Sequence, residues 1–281
     1  MTLVSFLAGT AYAFYRFNQF NILNFFLMLI AIMCIEMAST VTQKFKSFRK
    51  GYNKVRLSDL EDEVMDDVNI SVGTSIKIIC LLIFFSAVLL LLLSINTNFL
   101  FLVLGGIFFF FGLLHSSKQH ISKVVYCLVE GLLVIFLSVY IHTHTNNIVT
   151  INVANRVLTI RLFLGEFMGI LLFAIPSVVC LFNIMLVRDY RERTSTKLYF
   201  GLIVTAYISI IALVVFEFVG LEYLFTLASF YFVNSYYRRF CEDIKSEKIR
   251  NYLPVKTFAV IIFSNTYVLI FSMLLRALLN L

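Results

Sequence analysis

The stretch that decides the fold is Ile78–Leu93, IICLLIFFSAVLLLLL. It contains no charged residue, and widening it to 74–95 admits only Lys77, near its start. A helix needs about 20 predominantly apolar residues to cross the hydrocarbon of a bilayer, and this stretch supplies them. The rest of the 281-residue chain has the same character: 60% of it is apolar and 14% is charged. A soluble domain is about 45–50% apolar and about 25% charged. These proportions exclude a water-soluble enzyme, a disordered chain and a secreted disulfide scaffold. The expected class is an all-α polytopic membrane protein, a single transmembrane helical domain over 1–281.

Further apolar segments give nine expected spans, at 2–16, 22–42, 74–95, 98–114, 124–141, 161–187, 197–217, 219–236 and 256–279. Asn96-Thr97-Asn98 and Gly220 mark tight turns, and the long polar stretches are 43–73, 142–160 and 237–255. Ala11-Tyr12-Ala13 imitates a signal-peptide cleavage site, but no Lys or Arg precedes it. A charged leading segment is part of that signal, so 2–16 is expected to be a retained first helix. Of the 23 Lys and Arg, all but Arg16, Arg156, Arg161 and Arg276 fall in the loops after the even-numbered spans or at Lys77. The positive-inside rule then makes those loops cytoplasmic, with the N-terminus inside and the C-terminus outside an inner or plasma membrane. That distribution accounts for the net charge of +7 without a nucleic-acid partner.

Cys34, Cys80, Cys127, Cys180 and Cys241 are isolated singles with no zinc spacing, and they read as small hydrophobes. His142 and His144 form an HxH, but no third ligand stands near them in sequence. Ionisable residues inside spans are costly and often functional, which singles out Glu36 and Glu130. Glu166 and Arg161 lie at the outer end of the sixth span and are expected to reach the interface. Pro176 is expected to kink that span.

Chemistry is concentrated in two cytoplasmic loops, 43–73 and 188–197. The first opens with Gln43-Lys-Phe-Lys-Ser-Phe-Arg-Lys-Gly51 and ends in the acidic run Asp59–Asp67; the second reads Arg188-Asp-Tyr-Arg-Glu-Arg-Thr-Ser-Thr-Lys197. Topogenic charge and attraction to anionic lipid account for such basic loops on their own, at about 1 kcal/mol per basic residue near the surface. A second reading is a headgroup site for an anionic, lipid-tailed ligand.

Several collinear stretches sharpen that second reading. They are Phe6–Tyr15, Met37-Ala38 leading to Phe48-Arg-Lys-Gly51, Gly112–Ser117, Glu130-Gly131, Ser138–Thr143 and Asn183-Ile-Met-Leu186. With the span pattern, they resemble the UbiA superfamily of intramembrane prenyltransferases, and most closely its menaquinone branch, the 1,4-dihydroxy-2-naphthoate polyprenyltransferases. The resemblance implies a nine-helix bundle and transfer of a polyprenyl group from its diphosphate to an aromatic ring. It also implies two Asp-rich motifs holding Mg²⁺ against the diphosphate.

Here the motif positions depart from that pattern. Anchored on Met37-Ala38 and Arg49-Lys50, the first motif falls on Thr40, Gln43, Lys44 and Ser47. No carboxylate remains there, and an ammonium takes the first aspartate position. In the second, Arg188-Asp189 stands at the paired Asn, and Glu192 and Thr196 take the Asp positions; the alternative register leaves Arg193 at the second. Three readings remain open. The chain binds a polyprenyl diphosphate or quinone with weak or no catalysis, as partner of an active paralogue, with Lys44, Lys46, Arg188 and Arg191 on the phosphates and Lys118 and Lys123 as further candidates. Alternatively it is an active transferase whose Mg²⁺ rests on Asp189, Glu192 and the i, i+4 pairs Asp59/Glu63, Asp62/Asp66 and Glu63/Asp67. In the third reading it is a transporter or membrane scaffold.

Overall fold

The computed structural model describes residues 1–55, 72–114, 123–144, 149–154, 157–189, 196–245 and 252–279, with side chains undescribed at 43–55, 72–73, 113–114, 123, 149–154, 157–162, 188–189, 243–245, 252 and 279. Lipid offers the backbone no hydrogen-bond partner, so apolar segments close their bonds internally as helices. The elements are α1 (Thr2–Phe17), α2 (Ile22–Val55), α3 (Val72–Asn96), α4 (Phe99–Leu114), α5 (Lys123–Cys127), a π-helical segment (Leu128–Leu133) and α6 (Val134–Thr143). Strands β1 (Val149–Ala154) and β2 (Val157–Leu162) follow, then α7 (Leu164–Asp189), α8 (Thr196–Val215), a 3-10 helix (Leu221–Ser229), α9 (Phe230–Lys245) and α10 (Tyr252–Leu279).

Among the described residues, six helical stretches are long and apolar enough to cross a membrane: Ile22–Thr42, Thr74–Asn96, Val124–Thr143, Leu164–Val187, Thr196–Val215 and Leu253–Leu278. The protein is therefore a helical, multi-pass membrane protein. Three of the expected spans take other forms. The first is the 16-residue α1, and the fourth is apolar but short, Phe99–Gly112. The eighth, expected as one helix over 219–236, is split into the 3-10 helix and α9. Asn234, Arg238 and Arg239 make the latter part of α9 polar, which ends its apolar character early. The sixth helix starts at Leu164, not 161, because Arg161 belongs to β2, where it faces Thr150. The hairpin was not expected. Its register pairs Val149 with Leu162, Ile151 with Ile160 and Val153 with Leu158, the period-two alternation of a strand.

The chain forms two compact units, one of Met1–Phe25 with Ser122–Leu281 and one of Phe26–Ile121. In the smaller unit α3 packs on α4. Phe101 and Phe108 are buried while Leu81, Phe84 and Ile95 are exposed, as lipid-facing side chains should be. Gly112 of α4 lies so close to Ile35 of α2 that a Cβ there would come within 2.8 Å of its Cγ2.

In the larger unit α1 packs against α6 and α10, and α7 packs against α8, α10 and the π-helical segment. Small residues permit these approaches, as is usual between membrane helices. A Cβ on Gly9 would stand 3.0 Å from the Ile135 carbonyl oxygen, and one on Gly131 would stand 2.9 Å from the backbone of Val178. Ends are fixed locally. Asn18 closes α1 in the left-handed region at φ 52°, its N–H donating to the Phe14 carbonyl. Asn21 accepts from the Asn24 N–H at 3.1 Å, and Asn98 accepts from the Leu100 N–H at 3.1 Å, so each starts the helix that follows. Asparagine suits both tasks.

The turn after α8 is made at Glu217 rather than at the expected Gly220. Glu217 has φ 60°; its N–H donates to the Val214 carbonyl, and the Phe218 N–H to that of Leu213. This is a Schellman closure, with glutamate where glycine is the usual choice. Gly220 has φ −74° and donates its N–H to the Tyr15 hydroxyl at 2.8 Å.

Two predictions follow from these backbones. Gly131→Ala lowers stability by about 1–3 kcal/mol, whereas Gly106→Ala, at an exposed helical site with no atom within 4 Å of a new Cβ, is neutral or raises it by about 0.5–1 kcal/mol; thermal melting in detergent reads both. Glu217→Gly raises stability by about 1 kcal/mol by removing a left-handed non-glycine residue; a fall in its melting temperature would contradict the backbone account.

Candidate functional site

Among the positions singled out from sequence, α2 carries the longest series. It runs unbroken from Ile22 to Val55, so Glu36, Thr40, Gln43, Lys44 and Ser47 follow one another at helical i, i+3, i+4 spacing and share a stripe. Thr40 is exposed and donates its hydroxyl to the Glu36 carbonyl at 2.8 Å; Glu36 is half-buried. The side chains of Gln43, Lys44, Lys46 and Ser47 lie outside the described residues. Arg188 and Asp189 are the last two residues of α7, Thr196 is the first of α8 and half-buried, and Lys123 is the first of α5. Lys118, Arg191, Glu192 and the acidic run Asp59–Asp67 lie outside the described residues, as do the side chains of Lys123, Arg188 and Asp189.

The helices that flank the second loop are held by polar and aromatic contacts. Asn183, buried on α7, donates its side-chain N–H to the Tyr199 carbonyl of α8 at 3.4 Å. The Tyr199 hydroxyl meets the Thr257 hydroxyl of α10 at 3.0 Å, and its ring stacks on Phe240 of α9 at 4.5 Å. Sequence reading treated Asn183 only as an alignment anchor. Its burial within an apolar helix was the available signal for a joint.

Glu130 stands in the π-helical segment and is only 6% exposed. Single π turns inside α-helices occur often at functional sites because the extra residue redirects a side chain. Here the Thr2 hydroxyl of α1 donates to the Glu130 carboxylate. One turn along α1, Ser5 meets Ser177 of α7 hydroxyl to hydroxyl at 2.7 Å. Adjacent to these, Gly131 lies against Val178. The sequence-selected Glu130-Gly131 is thus brought together with Thr2, Ser5 and Ser177, beside Pro176, through which α7 continues as a helix. This is a buried carboxyl that accepts from the Thr2 hydroxyl, with a hydroxyl pair between α1 and α7 one turn further along α1. The arrangement can fix one side-chain orientation and move a proton between oxygen atoms.

A second polar cluster lies where α1 ends. Arg16 donates to both oxygens of Glu166, from Nη2 at 3.1 Å and Nε at 3.2 Å, and from Nη1 to the Glu217 carbonyl at 3.4 Å. Arg276 of α10 donates through Nη2 to the Tyr15 hydroxyl and to Glu222, both at 2.7 Å, while its guanidinium lies 4.7 Å over the Tyr15 ring. Tyr15 in turn donates to Glu222 at 3.0 Å. Sequence reading assigned Glu166 to the interface and gave Arg16, Glu222 and Arg276 no partners. The signal was present, in that Arg16 and Arg276 are matched by acids at the ends of neighbouring helices.

Both histidines of the HxH make local contacts. His142 accepts the Asn21 N–H at Nδ1, 3.0 Å away, and stacks on Phe20 with ring centroids 5.0 Å apart. Nδ1 of His144 meets the Ile141 carbonyl at 3.3 Å. Among the described residues no three His, Cys, Asp or Glu side chains are grouped to hold a metal. No family model, curated protein or solved structure matches the chain.

Tyr15→Phe removes the one hydroxyl shared by Gly220, Glu222 and Arg276, and costs about 1–3 kcal/mol because a part-buried donor and acceptor lose their partner. A lower melting temperature in detergent is the expected result, and an unchanged one would show the hydroxyl to be dispensable.

Proposed function

We propose that the chain is a UbiA-type prenyltransferase homologue of the menaquinone branch that binds a polyprenyl diphosphate or a quinone lipid with little or no catalysis and acts beside an active paralogue. The observation that carries this reading is the chemistry of the first motif: hydroxyl, amide, ammonium and hydroxyl at Thr40, Gln43, Lys44 and Ser47, along one stripe of an unbroken helix. Magnesium is held by carboxylates and phosphate oxygens. These four residues do not fit it, and Lys44 repels it. A cation at that position suits a diphosphate directly through charge-assisted hydrogen bonds, and Lys46, Arg188 and Arg191 extend the same chemistry. Asp189 and Glu192 are the carboxylates left to the alternative, active transferase.

Nine spans, an N-terminus inside and a C-terminus outside the inner or plasma membrane belong to the same proposal. Two features support the count. The 3-10 helix has 9 residues, and at about 2.0 Å per residue it rises about 18 Å; the apolar start of α9 adds further length. α1, though short, has polar partners at both ends.

Purified protein in detergent is expected to bind a polyprenyl diphosphate equally with and without Mg²⁺. Lys44→Ala or Arg188→Ala should each weaken that binding about tenfold, the loss of one charge-assisted contact. Prenyl transfer to 1,4-dihydroxy-2-naphthoate should be absent with the chain alone and appear when a paralogue bearing both Asp motifs is added. Robust transfer by the chain alone, abolished by Asp189→Ala or Glu192→Ala, would establish the active transferase instead. Solute transport in proteoliposomes without diphosphate binding would establish the transporter.

A further inference from the structure

At the end of α1 there is a cavity of about 470 Å³, lined by Tyr15, Arg16, Glu217, Phe218, Gly220 and Arg276 among others. Its charges divide unequally. Arg16 spends Nε and Nη2 on Glu166 and Nη1 on the Glu217 carbonyl. Arg276 engages Glu222 and Tyr15 through Nη2 alone, and its side chain is 45% exposed. A guanidinium has five N–H donors, so Arg276 retains capacity for an incoming acceptor. The Glu217 carboxylate is exposed and has no partner among the described residues. With Arg16 balanced by Glu166 and Arg276 by Glu222, Glu217 leaves the site one negative charge in excess. A simple anion is therefore disfavoured, and a ligand that brings a cation with its anion is favoured.

The rim shows what else the ligand carries. Val215 and Leu221, which also line the cavity, are 69% and 76% exposed beside this charged floor. An apolar rim around a polar floor in a membrane protein matches a molecule with a charged head and hydrocarbon chains. Glu217 adds an independent sign: it occupies a left-handed position where glycine fits without strain, and strained non-glycine residues cluster at ligand clamps.

We propose that this cavity seats the head group of a lipid carrying both a phosphate and a primary ammonium, with the phosphate on the spare donors of Arg276 and the ammonium on Glu217. The ammonium donates hydrogen bonds to the carboxylate, which a quaternary ammonium cannot do. The ring of Phe218, in the same wall and already 5.9 Å from the Arg16 guanidinium, offers a face to cationic groups.

The test is thermal melting of the purified full chain in detergent, titrated with phosphatidylethanolamine, phosphatidylcholine, phosphatidylglycerol or soluble phosphoethanolamine. Phosphatidylethanolamine is expected to protect best. Its half-saturating concentration should rise about tenfold in Glu217→Gln, the loss of one charge-assisted hydrogen bond. Glu217→Gly should lose the same protection while melting at or above the wild-type temperature without lipid, which separates lost binding from lost folding. Equal protection by phosphatidylcholine, stronger protection by phosphatidylglycerol, or an undiminished phosphatidylethanolamine preference in both variants would overturn the proposal. Soluble phosphoethanolamine protecting at the same concentration as the lipid would overturn the assignment to a lipid.

Discussion

The larger unit is organised around one constraint, the shortness of α1. Its 16 residues rise about 24 Å at 1.5 Å per residue, less than the roughly 30 Å of bilayer hydrocarbon. Both of its ends find polar partners inside the protein. At the beginning the Thr2 hydroxyl reaches Glu130 and Ser5 reaches Ser177. At the end Asn18 turns the backbone and Arg16 is held by Glu166. Between them Gly9 lets α1 lie directly on α6, where a larger residue would meet the Ile135 carbonyl. A short helix is thus clasped at both ends, and α6, α7 and α10 are organised around it.

Several of the buried polar groups bridge two elements. Tyr199 joins α8 to α10 through Thr257, Tyr207 joins α8 to the 3-10 helix through Ser229, and Asn24 joins the start of α2 to the Ile141 carbonyl of α6. Interhelical hydrogen bonds in membranes average about 0.6 kcal/mol, so such bridges set the register of one helix on another more than the total stability. Close approach of the helices is permitted by small residues, Gly9 and Gly131 among them. At Glu130 the two devices coincide, since the π-helical turn that points the carboxyl at Thr2 also places Gly131 against Val178.

Sequence reading recovered what hydrophobicity encodes. The runs in α3, α7 and α10 have no polar interruption that would spoil a span, and the Asn-rich turn before α4 is where it was expected. Glu130 was singled out because a carboxylate in an apolar segment is costly, and burial against Thr2 is the answer the structure gives. Other features left weaker traces. A 3-10 helix over Leu221–Ser229 has the same apolar composition as an α-helical span, so hydropathy does not separate the two. The hairpin hid its Val149-Thr-Ile-Asn-Val153 alternation inside a stretch classed as polar. The Glu217 turn was misplaced because Gly220 lies three residues away and glycine is the residue that usually signals a left-handed backbone. The Arg16–Glu166 and Arg276–Glu222 pairs link residues 150 and 54 positions apart, a distance that pattern reading along one chain does not bridge. The motif loops, where sequence carries most of the chemical argument, lie largely outside the described residues.

The length of α2 has its own consequence. At 34 residues it rises about 51 Å, longer than the roughly 30 Å of bilayer hydrocarbon. Each residue of an α-helix advances its side-chain direction by about 100°. The bearing of Thr40, and of the helix positions that follow it, is consequently set by the buried steps below, Ala31, Ile32, Ile35 and Ala38, as a key's teeth are aimed by the grip on its bow. One residue gained or lost within that grip would swing the whole array by more than a quarter turn and leave its composition untouched.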